Sequence, residues 1–270
     1  MKLQSLMIVL LSGAMPLFAG DWGKAPVGKA PVEECVDLGG RFATGYETDY
    51  LFKGIRFSRD SVWVEVEYAL KGLPLPVTVG SFYLNGINGS AVGADYDELN
   101  AYAEVDLGTY AGFEVDFRYD YYTFPEFRGN LVPVGSYSET TLGIGRSVAG
   151  IDFRYALAYG FGDGITPTGG TSPRGWYHDL GASKSFSLTD DISLVLGTGV
   201  AYSDEFWYST GWNHYYATAS LPIQLNCRTT LTPYLGYSGA PDTWVVDGLF
   251  GANDSQSDVL HGGVTLSVQF

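Results

Sequence analysis

The chain has 270 residues, a formal net charge of −15, 15% aromatic residues and 36 glycines. An acid surplus of that size repels phosphate backbones and argues against nucleic acid as a partner. Rich aromatic and glycine content at near-neutral mean hydropathy fits no bundle of apolar helices; it suits a sheet whose apolar residues take every second position.

The first segment reads as an export signal. Lys2 precedes the apolar core Leu6-Met7-Ile8-Val9-Leu10-Leu11, and Ala19 after Leu17-Phe18 offers a small residue for cleavage. A membrane-spanning helix needs about 20 apolar residues, and Ser12, Gly13 and Pro16 interrupt this stretch. Residues 1–19 are therefore predicted to be a signal peptide. Residues 20–39 are predicted to be a periplasmic linker, built on Gly23-Lys24-Ala25-Pro26-Val27 and its immediate repeat Gly28-Lys29-Ala30-Pro31-Val32, which has little to bury.

From residue 40 to 270 the period is two. In the clearest case Phe113, Val115, Phe117, Tyr119 and Tyr121 alternate with Glu114, Asp116, Arg118, Asp120 and Tyr122. A strand throws these sets to opposite faces, whereas a helix would scatter both around its axis. Similar alternation marks 62–68, 99–107, 151–160 and 192–202. Weaker strands are expected near 42–52, 77–84, 138–145, 176–185, 214–221, 230–237 and 260–270, about twelve in all. Short turns near 71–74, 108–110, 147–150 and 189–191 alternate with longer loops near 85–95, 125–134, 162–175, 203–211 and 239–257. The predicted fold is thus all-β: a transmembrane antiparallel up-and-down barrel with both termini periplasmic. Apolar residues at alternate places up to Phe270 look like the C-terminal signal read by the outer-membrane assembly machinery. Because an unpaired sheet edge is costly in lipid, the first and last strands should pair. Tyr50, Phe52, Tyr121, Tyr122, Tyr159 and Phe161 are expected in an interfacial girdle.

Charges cannot face lipid cheaply. Glu47, Asp49, Glu65, Glu67, Glu104, Asp106, Glu114, Asp116 and Asp120 are therefore expected to line the lumen, with Arg118 and Arg154 as the main counter-charges. Inward places on later strands are small: Gly181, Ser183, Gly197, Gly199, Thr218, Ser220, Gly263, Thr265 and Ser267. So many carboxylates suggest a wet interior that favours cations. Cys35, before the first strand, and Cys227, in a turn at the same end, could form a disulfide in an oxidising compartment. No Gly-x-Ser-x-Gly elbow occurs. His178, His214 and His261 read as polar residues near the barrel rim, and His178 and Asp179, being adjacent, must face opposite ways. Asn253, Asp254 and Asp258 lack the spacing of a calcium loop. No catalytic residue, metal or cofactor is expected.

The segment Thr48-Asp49-Tyr50-Leu51-Phe52-Lys53-Gly54-Ile55-Arg56-Phe57-Ser58 resembles the first-strand motif of the TorF-type porin family, roughly Ser-Asp-Tyr-Val-Phe-Arg-Gly-Ile-Ser. Asp49, Tyr50, Phe52, Gly54 and Ile55 match, and Arg56 breaks the pattern. Leu231-Thr232-Pro233-Tyr234-Leu235-Gly236-Tyr237 also looks like a late strand of that family. The resemblance implies a porin-like protein of the bacterial outer membrane. The expected function is passive passage of small cationic or neutral solutes. The alternatives are a plugged anchor barrel whose loops bind partners and, further off, a surface hydrolase using a histidine.

Overall fold

The computed structural model describes residues 38–88, 96–125, 136–165, 171–206, 210–240 and 258–270. The expected signal peptide, all of the linker but residues 38 and 39, Cys35, Asn253 and Asp254 lie outside the described residues.

The strands are β1 (Gly40–Phe52), β2 (Ile55–Leu70), β3 (Val77–Gly86), β4 (Asp97–Tyr110), β5 (Phe113–Thr123), β6 (Tyr137–Val148), β7 (Ile151–Ile165), β8 (Thr171–Ser187), β9 (Ser193–Asp204), β10 (Thr210–Ser220), the two-residue β11 (Ile223–Gln224), β12 (Thr229–Gly239) and β13 (Asp258–Gln269). Each long strand pairs antiparallel with its neighbour in sequence, and β10 pairs with β12 across the turn that holds β11. The first and last strands meet in the register Phe42↔Val268 and Thr44↔Leu266. The Gly40 N–H donates to the Phe270 carbonyl at 3.0 Å, and the Phe270 N–H donates back to Gly40 at 2.9 Å. Twelve strands therefore form a closed cylinder with no edge, as a bilayer demands of a sheet.

The alternation places side chains as read. On β5, Phe113, Phe117, Tyr119 and Tyr121 are exposed outward, while Asp116, Arg118, Asp120 and Tyr122 are buried inside. On β2, Val62, Val66 and Tyr68 face out, and Trp63, Glu65 and Glu67 face in.

Turn chemistry sets the hairpins. Lys53-Gly54, Ala111-Gly112 and Ala149-Gly150 have paired positive φ values of 49° and 81°, 53° and 81°, and 52° and 73°. Such two-residue turns carry the twist of the flanking strands, and the second place suits glycine. The β4–β5 turn is therefore at 111–112, beyond the expected 108–110. Gly108 instead marks a bulge, where its N–H donates to Asp106 Oδ1 at 2.7 Å.

Half of the expected girdle is corrected. Tyr121, Tyr159 and Phe161 do lie on the outer face, where Tyr159 packs on Phe161 at 4.8 Å and on Trp176 at 4.7 Å. Tyr50, Phe52 and Tyr122 are buried inside. Tyr122 simply follows the inward parity of β5. Tyr50 and Phe52 turn inward with the end of β1, past Glu47, where the alternation of the strand breaks; the register shift at Tyr50/Leu51 comes after that point and leaves Phe57 as the extra residue on β2.

Candidate functional site

The interior facing β1 to β8 is a network of acids, arginines and tyrosines. Arg41 donates to Glu65 at 2.6 Å and to Glu67 at 2.7 Å. The Tyr102 hydroxyl reaches across from β4 to lie 2.9 Å from an oxygen of each of these two carboxylates, its single proton shared between them. Arg118 lies 3.6 Å above the Tyr102 ring, pairs with Asp120 at 2.9 Å, and comes within 3.6 Å of Glu104. Arg154 donates to both oxygens of Asp116, at 3.0 and 2.9 Å. Glu47 accepts from Tyr234 at 3.0 Å, and Asp49 pairs with Arg56 at 3.4 Å. Glu114 is half-buried, and Asp106 is exposed near the end of the cylinder that holds the termini. Arg154 and the acids from Glu47 to Asp120 are thus brought together inside, except for Asp106 at the mouth.

Two readings of this wall are corrected. The expectation of unpaired carboxylates in a wet lumen does not hold for Glu65, Glu67, Asp116 and Asp120. Each is buried and has a cation within hydrogen-bond distance, the arrangement that offsets the desolvation of an ion. Arg118 and Arg154 are also not the main counter-charges by themselves, since Arg41, Arg56 and Lys53 contribute equally direct ion pairs. Further acids were overlooked. Glu98 accepts from Tyr50, Tyr96 and Asn100, all at 2.5 Å. Asp179 accepts from Tyr216 at 2.9 Å, and Glu139 binds Lys53. Glu98 and Asp179 continue the inward parity of Glu104 on β4 and Gly181 on β8, whereas no inward residue of β6 pointed to Glu139.

The interior facing β9 to β13 is lined by the small residues the sequence indicated. Several glycines sit directly opposite a large ring on the neighbouring strand: Gly45 against Trp63, Gly80 against Tyr102, Gly199 against Tyr216, and Gly236 against His261. A Cβ at any of these would collide with the ring. The missing side chain is what lets the ring lie over its neighbour's backbone.

The end opposite the termini holds an apolar cluster inside the barrel. Phe52, Ile55, Phe57, Tyr96, Tyr122, Tyr137, Tyr177 and Phe206 belong to it. Phe52 packs on Tyr122 at 5.4 Å, Tyr122 stacks on Tyr137 at 4.7 Å, and Tyr177 meets Phe206 at 5.6 Å. Each such ring contributes about 1.5–3 kcal/mol by burial. The cluster exists because the β1–β2 hairpin tip points inward. Strand β1 adjoins only β2 and β13 in the wall, yet Lys53 Nζ sits 2.5 Å from Glu139 on β6. The Lys53 carbonyl accepts from Asn213 Nδ2 on β10 at 2.7 Å, and Gly54 packs against the His214 ring. The tip thus crosses the lumen.

The histidines divide. His178 faces outward, 2.7 Å from the Tyr155 hydroxyl, while Asp179 beside it faces in. His214 and His261 are buried inside. No group of three or more His, Cys, Asp or Glu arranged to hold a metal occurs among the described residues. Cys227 lies exposed in the turn between β10 and β12.

No family model matches the sequence, and no curated protein does. Solved structures do resemble the fold. The COG4313 outer membrane channel from Pseudomonas putida F1 matches with a TM-score of 0.57 at 9% identity, over 91% of this chain and 100% of that one. The KdgM porin matches with a TM-score of 0.51 at 6% identity, over 85% of this chain and 99% of that one. At such identities the likeness concerns architecture alone, and it establishes the chain as a closed twelve-strand antiparallel barrel of the outer-membrane kind.

Proposed function

We propose that this chain is a narrow porin-like channel of the bacterial outer membrane, passing small cationic or neutral solutes and catalysing nothing. The observation that carries it is the closed cylinder with an apolar outside and a carboxylate-rich inside. Residues 1–19 serve export, residues 20–39 form a linker, the termini face the periplasm, and Phe270 presents the assembly signal. The motif around Asp49 to Ile55 fits the TorF-type porins, and the fold shared with a COG4313 channel and the KdgM porin agrees with transport. Glu47, Asp49, Glu65, Glu67, Glu104, Asp106, Glu114, Asp116 and Asp120 set a negative field, tempered by Arg41, Arg56, Arg118 and Arg154. Solutes pass beside the small-residue wall of β9 to β13, and acidic linings favour cations.

Reconstitution in planar bilayers tests this. Discrete conductance steps are expected, with a reversal potential on the cation side at low salt, where surface screening is weak. Anion preference would refute it. A second reading, the plugged anchor, is favoured by the inserted tip and its apolar cluster. It predicts no conductance in the wild type under any solute, and conductance only once the tip is shortened.

A further inference from the structure

The ammonium of Lys53 occupies a built site. Its Nζ lies 2.5 Å from both oxygens of Glu139. It also lies 4.7 Å from the Phe206 ring centroid, 4.8 Å from that of Phe52 and 5.3 Å from that of Tyr177. Thr141 steadies the carboxylate through a hydroxyl 3.3 Å from Glu139 Oε1. Rings around a cation, backed by one buried carboxylate, form the arrangement by which proteins bind organic ammonium groups. Here three of the parts, Glu139, Tyr177 and Phe206, belong to the barrel wall and its far rim. The cation arrives on the tip of a hairpin from the other side of the lumen.

We propose that Glu139, Tyr177 and Phe206 form a binding site for primary alkylammonium solutes, which the Lys53 tip occupies as a tethered stand-in. A solute ammonium that takes the site displaces the tip and clears the end of the barrel opposite the termini. The inference deepens the channel reading and rests on it for the clearing of a passage; the binding itself does not. A tethered competitor acts at an effective concentration of order millimolar or above. Free ligand must therefore compete in that range in the wild type and binds more tightly once the lysine is gone. Lys53→Asn is the suitable variant, because Lys53 has φ of 49° and asparagine tolerates that conformation but cannot reach Glu139.

The test is calorimetric titration of the refolded barrel with n-butylammonium, the lysine side chain without its backbone, against n-butanol and butyrate. The wild type should saturate weakly. Lys53→Asn should bind n-butylammonium about ten-fold more tightly, the tethered competitor being removed, and Lys53→Asn with Glu139→Gln should bind none. Butanol and butyrate should be silent. Absence of saturable binding in Lys53→Asn, or equal binding of butanol, overturns the site. If Lys53→Asn does not fold, the wild type decides: no saturable response to n-butylammonium up to about 0.1 M, well above the tethered concentration, overturns it equally. In bilayers, n-butylammonium should raise wild-type conductance, and Lys53→Asn should show the raised conductance without it. Binding with no conductance in either protein would leave the site and remove the channel reading. Conductance indifferent to n-butylammonium, with no binding, would do the reverse.

Discussion

Replacing Arg118 by methionine distinguishes a packed interior from a water-filled one. Methionine keeps much of the stem and removes only the guanidinium. Arg118 donates to Asp120 through Nε at 3.0 Å to each oxygen and through Nη2 at 2.9 Å. It also lies 3.6 Å over the Tyr102 ring. Arg118 is 2% exposed and Asp120 0%, so the substitution strands a buried carboxylate without that cation. Breaking a buried pair from one side costs about 3–5 kcal/mol, and the lost stacking adds about 1–2 kcal/mol. Adding Asp120→Asn removes the stranded charge, and the double mutant should recover about 2 kcal/mol or more. Urea unfolding of the barrel in lipid vesicles, followed by tryptophan fluorescence, measures all three. A loss below about 1 kcal/mol in Arg118→Met, the worth of a solvated ion pair, would refute the packed network around Arg118.

Three further outcomes are expected. Phe117→Arg, at the centre of the outward face of β5 between Val105 and Leu142, should cost about 2–4 kcal/mol in vesicles; an unchanged unfolding midpoint would mean that this face does not meet lipid. Gly80→Ala should destabilise by about 1–3 kcal/mol, since its Cβ would strike the Tyr102 ring and push that hydroxyl off Glu65 and Glu67. Mass spectrometry of the exported protein should find Cys35 joined to Cys227, with reduction costing about 5 kcal/mol for so long a loop. The turn holding Cys227 adjoins the last strand through the Gln269 N–H, which donates to Arg228 at 2.8 Å beside the start of β1. Two alkylatable thiols in the untreated protein would dismiss the bridge.

Much of the barrel was legible because a dyad pattern is a statement about faces. Phe113 to Tyr121 and Val62 to Tyr68 could only be outward once the acids between them had to avoid lipid, and closure followed from the cost of an edge. The inward facing of Glu65, Glu67, Glu104, Asp116 and Asp120 followed from the same rule. What it could not convey was pairing across the lumen. The pairing of Lys53 with Glu139 depends on the tip of β1 reaching β6, which is not its neighbour in the wall. The inward tip was hidden for a different reason. A Lys-Gly turn looks the same whether its hairpin stands up or folds in, and the break in alternation between Glu47 and Tyr50 leaves no mark in the residue types.

The glycines set opposite Trp63, Tyr102, Tyr216 and His261 also limit how far those rings project from the wall. A ring that settles over bare backbone lies along the wall and takes little of the cross-section, where the same ring beside an alanine would stand toward the axis. Each glycine and its ring then form one unit of bore, so neither member can change size without the other.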